Sequence, residues 1–169
     1  MIPSPTDYQN ILGWCSDGEA AGLQKHSAGL NVLEIGVWQG RSTVAMAAVA
    51  KSVFSVDHFL GDNFAGPYNT IQDALNNLHY IPNVYLSVGK WRQVVDFINL
   101  RNIGFIYYDA DHTYEATKEF LDWVRPTKIP FGLHDVDDNP NHAGVKQALH
   151  EFTTDYHLYD RLAVCDSYA

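Results

Sequence analysis

The chain has 169 residues, 46% of them hydrophobic and 18% charged, which suits one globular domain with its own core and excludes a disordered or disulfide-stapled chain. Twenty Asp and Glu against eleven Lys and Arg leave a formal charge of −9. Such a surface repels phosphate backbones and anionic lipid, so neither nucleic acid nor membrane is an expected partner.

Tyr8, Ile11, Leu12 and Trp14 predict a short amphipathic helix, ended by Gly13 or by Ser16-Asp17-Gly18. From Asn31 an alternation of strands and helices begins. Val32-Leu33-Glu34-Ile35 reads as a buried strand closed by Gly36, and Ser42 to Ala50 as a buried helix. Val53 to Val56 is a second strand that ends at Asp57; Phe59 to Pro67 is a loop. A helix over Asn69 to His79 leads to a third strand at Val84 to Val88. Trp91 to Leu100 shows helical spacing at Val94, Val95 and Ile98. Ile103 to Tyr108 is the fourth strand, Tyr114 to Val124 a strong helix with Pro126 beyond its end, and Phe131 to Leu133 the fifth strand. His142 to Phe152 is the last helix, and Leu158 to Cys165 forms one or two closing strands.

This order predicts an α/β fold: a doubly wound, mostly parallel sheet over residues 31–169, preceded by a helical extension over residues 1–30. Ligands of such sheets bind at the carboxyl ends of the strands, near the reversal of strand order. Glu34, Gly36, Asp57, Asp109, Asp111, His112, His134 and Asp135 all close strands and are expected on that rim. Cys15 and Cys165 form neither a disulfide framework nor a Cys-x-x-Cys pair. No apolar run nears the ~20 residues of a membrane span, and Met1 to Asp7 lacks the basic character of a secretory signal. A cytoplasmic protein is expected.

The turn after the first strand, Glu34 to Thr43, has glycines at Gly36 and Gly40 and opens a helix, a place where backbone can approach a ligand. Asp57, at the end of the next strand, suits the two hydroxyls of a ribose. A dinucleotide fingerprint starting at Gly36 would need glycines where Trp38 and Arg41 stand, so a nicotinamide or flavin cofactor is not expected. The spacing suits a nucleoside lacking a phosphate.

Asn31 to Ala47 and Val53 to Asp57 resemble the first two motifs of class I S-adenosylmethionine-dependent methyltransferases. Asp109-Ala110-Asp111-His112-Thr113-Tyr114-Glu115 and Gly132-Leu133-His134-Asp135 resemble a small-molecule O-methyltransferase branch that includes sugar O-methyltransferases and cephalosporin hydroxylase-like relatives. The resemblance spans about residues 30 to 152. It implies a seven-stranded Rossmann-like methyltransferase fold, with S-adenosyl-L-methionine held around Glu34, Gly36, Trp38, Gly40, Ser42, Asp57, His58, Gly89, Trp91 and Asp109. Where such relatives often place an acid that reads the adenine, this chain has Ser87-Val88-Gly89-Lys90-Trp91, which leaves that task to main chain or to Trp91. The resemblance further implies a divalent metal, Mg²⁺ or Mn²⁺, on Asp109, His134 and Asp135, with His134 replacing a carboxylate.

His112 matches the general base of the sugar-methylating relatives, with Asp111 as the other catalytic candidate. An imidazole titrates near neutral pH and can take the proton of a hydroxyl nucleophile. Phe64, Tyr68, Trp38 and Tyr108 are candidate aromatic walls, and Asp137-Asp138-Asn139-Pro140-Asn141-His142 is a solvated turn or a substrate rim. The expected activity is methyl transfer to a hydroxyl oxygen of a small molecule, such as a sugar. The alternative is a nucleoside-binding protein that has lost the chemistry. A small-molecule hydroxyl acceptor is the expected partner, and a homo-oligomer stays open.

Overall fold

The computed structural model describes residues 1–61 and 66–168. Phe64 and part of the loop expected over residues 59–67 lie outside the described residues. Seven strands form one sheet: β1 (Asn31–Ile35), β2 (Ser52–Asp57), β3 (Val84–Val88), β4 (Phe105–Tyr108), β5 (Phe131–Leu133), β6 (His157–Tyr159) and β7 (Leu162–Cys165). Among the described residues six α-helices accompany them: α1 (Asp17–Ser27), α2 (Arg41–Ala47), α3 (Ile71–Leu78), α4 (Trp91–Val94), α5 (Tyr114–Val124) and α6 (Ala143–Phe152). The strand order is β3-β2-β1-β4-β5-β7-β6. β1 to β5 run parallel, while β7 is antiparallel to both β5 and β6. The order reverses between β1 and β4, which sets the ligand crevice there.

The central parallel strands are short apolar runs because both faces are covered, whereas the edge strand β3 leaves Tyr85 and Val88 exposed. Side chains alternate between the two faces. Phe105 and Tyr107 of β4 join Val32, Met46 and Leu78 on one side. Ile106 and Tyr108 join Leu33, Ile35, Phe120 and Phe131 on the other. Tyr8, Cys15, Ala20 and Leu23 belong to the first of these clusters, so the N-terminal segment and the sheet share a core. No described helix is long and apolar enough to cross a membrane.

Two expectations need correction. The segment around Tyr8 is a 3-10 turn over Asp7–Asn10, and the first α-helix starts later, at Asp17. Ser16-Asp17-Gly18-Glu19 is therefore a helix start, not a helix end. Ser16 Oγ accepts from Glu19 N at 3.1 Å, and Glu19 Oε2 accepts from Ser16 N at 2.7 Å, a complete capping box. The helix expected over Trp91 to Leu100 stops at Val94 and continues as separate 3-10 turns over Val95–Phe97 and Leu100–Asn102. The adjacent β-branched Val94 and Val95 and the following Asp96 are weak helix formers. Breaking the helix also buries Val95 and Ile103 while leaving Phe97 outside.

Candidate active site

A cleft of about 890 Å³ opens over the carboxyl ends of β1, β2, β4 and β5. Gly36, Trp38, Ser42, Asp57, His58, Gly89, Trp91, Asp109, Asp111, His112, His134 and Asp135 line it. Glu34 and Gly40 stand behind the wall.

Glu34 anchors the glycine turn from below. It is fully buried and accepts from Ser42 Oγ at 2.6 Å, Thr43 Oγ1 at 2.6 Å and Ser55 Oγ at 2.7 Å, which tie α2 and β2 to β1. Burial pushes its carboxyl up to about 7, against the pull of the three hydroxyls. Gly36 has φ +95, and a Cβ there would overlap the Asp109 carbonyl and come within 2.9 Å of Ala110 N. Its glycine is needed because the ends of β1 and β4 touch at the crevice. A Cβ on Gly40 would meet Leu78 Cδ2 at 2.8 Å, so its close neighbour is α3.

Asp57 faces the cleft with its carboxylate largely engaged. Oδ2 accepts from Val37 N at 2.7 Å and Trp38 N at 2.9 Å, and Oδ1 accepts from Phe59 N at 2.7 Å. A carboxylate has about four acceptor positions, so Asp57 keeps about one uncommitted, fewer than the two ribose hydroxyls expected of it would use. His58 Nδ1 accepts from Leu60 N at 3.1 Å. Trp91 is held edge-on against Trp123 at 5.3 Å and Tyr108 at 6.2 Å between ring centroids. Tyr108 and Trp38 line the cleft; Tyr68 does not.

The residues after β4 and β5 converge. His112 Nε2 lies 3.3 Å from Asp109 Oδ1 and 3.0 Å from Asp135 Oδ2. His134 Nδ1 lies 3.1 Å from Asp109 Oδ1 and 3.2 Å from Asp135 Oδ1. Tyr107 donates to Asp109 Oδ2 at 3.0 Å. Asp111 turns away: Oδ1 accepts from Thr113 N at 2.8 Å, in the turn that starts α5. Two participants are new. Glu19 is fully buried, with Oε1 3.3 Å from His134 Nε2 and 3.1 Å from Arg161 Nε. Arg161 also donates to Asp135 Oδ1 at 2.8 Å. Only the capping pattern around Glu19 was visible in the sequence, and nothing in it pointed to His134. His142, from the polar turn, joins the same group, with Nε2 3.4 Å from Asp135 Oδ2 and Nδ1 3.0 Å from Asp137 Oδ1.

Burial alone would lower the histidines' basicity, but the carboxylates win. Asp109 and Asp135 bring His112 up to about 10. Asp109, Asp135 and Glu19 raise His134 well above the usual imidazole range. In return the imidazoles hold Asp109 and Asp135 below the usual carboxylate range despite their burial.

Asp109, His112, His134 and Asp135 each offer a ligand atom, all within 4.8 Å of one another. The buried nitrogens of His134 lie near three carboxylates, yet no hydrogen bond forms at those angles. A donor set of two carboxylates and imidazole, whose ligand atoms already converge, fits a divalent cation, and the imidazole favours Mn²⁺ over Mg²⁺.

The sequence profile of the family described as Methyltransferase domain matches residues 33–139. No curated protein matches in sequence. Several solved structures share the fold at low identity. Cofactor-bound Rv0187 from MTB has TM-score 0.67 and 15% identity, over 95% of this chain and 84% of that one. The O-methyltransferase from Bacillus cereus, in complex with SAH, has TM-score 0.61 and 16% identity, over 87% and 74%. The O-methyltransferase TomG from Streptomyces achromogenes, involved in tomaymycin synthesis and in complex with SAM, has TM-score 0.60 and 14% identity, over 89% and 78%.

Proposed function

The chain belongs to the methyltransferase-domain family, and from that premise we propose that it moves a methyl group from S-adenosylmethionine to a hydroxyl oxygen of a small molecule. The observation that carries this reading is one cleft holding both halves of the chemistry. The glycine turn with Asp57 lines it together with Asp109, His112 and Asp135. Solved structures that share the fold hold SAM or SAH.

Gly36 leaves room for the donor beside the main chain, and Asp57 offers its remaining acceptor position to the ribose. The acceptor oxygen bonds to the methyl carbon as the carbon–sulfur bond breaks, and the electron pair returns to sulfur, giving S-adenosylhomocysteine. His112, the imidazole on the cleft wall, takes the hydroxyl proton in its neutral form; Asp109 and Asp135 keep it protonated up to about 10 when they face it alone. A divalent cation held by Asp109, His134 and Asp135 would supply positive charge that lowers the hydroxyl's pKa and that these carboxylates otherwise draw from His112. A sugar hydroxyl is one acceptor of this class.

Isothermal titration with S-adenosylhomocysteine, followed by radiolabelled methyl transfer to a panel of hydroxylated compounds with and without Mn²⁺, tests the proposal. Saturable binding and transfer to oxygen are expected. Absence of binding at millimolar concentration would overturn it. Binding with no transfer to any acceptor would favour a nucleoside-binding protein without the chemistry.

A further inference from the structure

Trp14 lies outside the segment matched to the family, which begins at residue 33. It nevertheless lines the same cleft. Its side chain is unusual for its size: the residue is 60% exposed. An indole is a large apolar surface that is usually covered.

The backbone beneath this indole is held on both sides. Arg161 donates from Nη2 to the Trp14 carbonyl, while Nη1 of the same guanidinium holds Asp135 Oδ1 at 2.8 Å. Arg41 donates from Nε to the Cys15 carbonyl at 2.8 Å and from Nη1 to the Ile11 carbonyl at 2.7 Å. Gly13 lies against the stem of Arg41, so closely that a Cβ on it would sit 3.1 Å from Arg41 Cβ and Cδ. Trp38 of the glycine turn supports the ring itself, with centroids 4.6 Å apart and planes tilted by 36°. The result is a fixed aromatic surface at a cleft, the form in which aromatic anchors bind with little loss of conformational freedom.

The Arg161 bridge adds register. A guanidinium is rigid and planar, so the Trp14 main chain keeps one spacing from Asp135. A molecule that covers the indole and presents a hydroxyl to Asp135 and His112 is held at two points of one cleft. A ring bearing a hydroxyl meets both with a flat face and few rotors; an open-chain polyol has neither advantage.

We propose that Trp14 determines acceptor specificity, and that the acceptor is a hydroxylated ring whose face lies on the Trp14 indole while a ring hydroxyl meets Asp135 and His112. This rests on the methyl-transfer reading of the cleft. Arenediols and pyranosides share the required chemistry, a flat face with an attached hydroxyl.

The test is saturation-transfer NMR on the full chain at saturating S-adenosylhomocysteine, with catechol, methyl β-glucopyranoside and glycerol as probes. The protein is compared with Trp14→Phe and Trp14→Ala. At least one ring probe should bind the wild-type chain, weaken roughly tenfold in Trp14→Ala and largely recover in Trp14→Phe. S-adenosylhomocysteine affinity and melting temperature should be unchanged in both variants. Dependence on Trp14 for catechol alone assigns an aromatic acceptor, and for the glucoside alone a sugar. The proposal is overturned if no ring probe binds, if glycerol binds as well as the rings, or if Trp14→Ala leaves ring binding intact. It is also overturned if Trp14→Ala weakens S-adenosylhomocysteine in place of the ring probe, because that puts the indole on the donor. Failure of S-adenosylhomocysteine to bind the wild-type chain is a separate result. It refutes the methyl-transfer reading, and the ring probes titrated alone still report on Trp14.

Discussion

Gly36→Ala is the substitution whose effect follows most directly from the geometry. Two costs add. Gly36 sits at φ +95, where an L-residue loses roughly 1–2 kcal/mol. Its new Cβ would also run into the Asp109 carbonyl and approach Ala110 N to 2.9 Å. Those atoms are backbone at the end of a buried strand, so relief requires β1 and β4 to separate, an overpacking cost of about 1–3 kcal/mol. The sum, roughly 2–5 kcal/mol, corresponds to a melting point lower by about 5–20 °C for a chain of this size. Gly29→Ala is the internal control. Gly29 also has a positive φ, +70, but a Cβ there meets nothing within 4 Å, so it carries the backbone cost alone. Thermal unfolding of both variants, each paired with an S-adenosylhomocysteine titration, separates the two terms. Gly36→Ala should melt lower than Gly29→Ala and lose ligand binding, which Gly29→Ala keeps. Equal melting points for the two variants would show that the strand ends are not in contact, and the account of the crevice would fall with that result.

Other outcomes are expected from the buried charges. Glu34, raised from 4.5 to about 7 by burial, holds a proton in the folded state that the unfolded chain releases. Its contribution to stability is therefore complete below pH 4.5 and lost as pH rises through about 7, a range worth roughly 3 kcal/mol. Urea unfolding at pH 5 and pH 8 should show the wild-type chain losing that much relative to Glu34→Gln; parallel pH profiles would contradict it. Mn²⁺ at a hundred times its dissociation constant should stabilise the protein by about 2.7 kcal/mol, read as a rise in melting temperature. Asp135→Asn should abolish the rise, and a rise that persists in this variant would place the ion elsewhere. His112→Ala should lower kcat by roughly 10²–10⁴ with S-adenosylhomocysteine affinity unchanged in titration calorimetry. Full turnover in that variant would remove His112 from the chemistry.

The parallel strands were readable because burial on both faces forces contiguous apolar residues, as in Val32 to Ile35 and Ile103 to Tyr108. The strand ends were readable for a related reason: a polar residue closing such a run has only the rim to occupy, which is where Asp57, Asp109, His134 and Asp135 lie. α1 was missed because its buried residues are Glu19, Ala20, Gly22, Leu23 and Ser27. Small and polar side chains give no helical stripe when the helix lies close to its neighbours. A Cβ on Gly22 would meet Tyr159 Cγ at 2.6 Å, which shows how near the approach is. The Ser-x-x-Glu cap was the remaining signal. Glu19 and Arg161 could not be found as site residues, because their partner His134 is distant from both in sequence. Asp57 was read for its charge alone, and spacing does not reveal that three backbone amides take most of its lone pairs.

Glu19 closes its own helix cap with one oxygen and meets His134 and Arg161 with the other. Ser16 likewise donates to Asp160 across almost the whole chain. Residues 16 and 19 are therefore tied to residues 160 and 161, which lie far from them in sequence. As the chain emerges, β1 to β4 can pair in order, but the acid–histidine cluster lacks its arginine until residues around 161 have been added. Vectorial synthesis thus delivers the glycine turn and Asp57 before the acid–histidine cluster is complete. A chain ending before β6 lacks the guanidinium that pairs with Glu19 and Asp135. Completion of the last hairpin is the event that converts a folded sheet into a finished site.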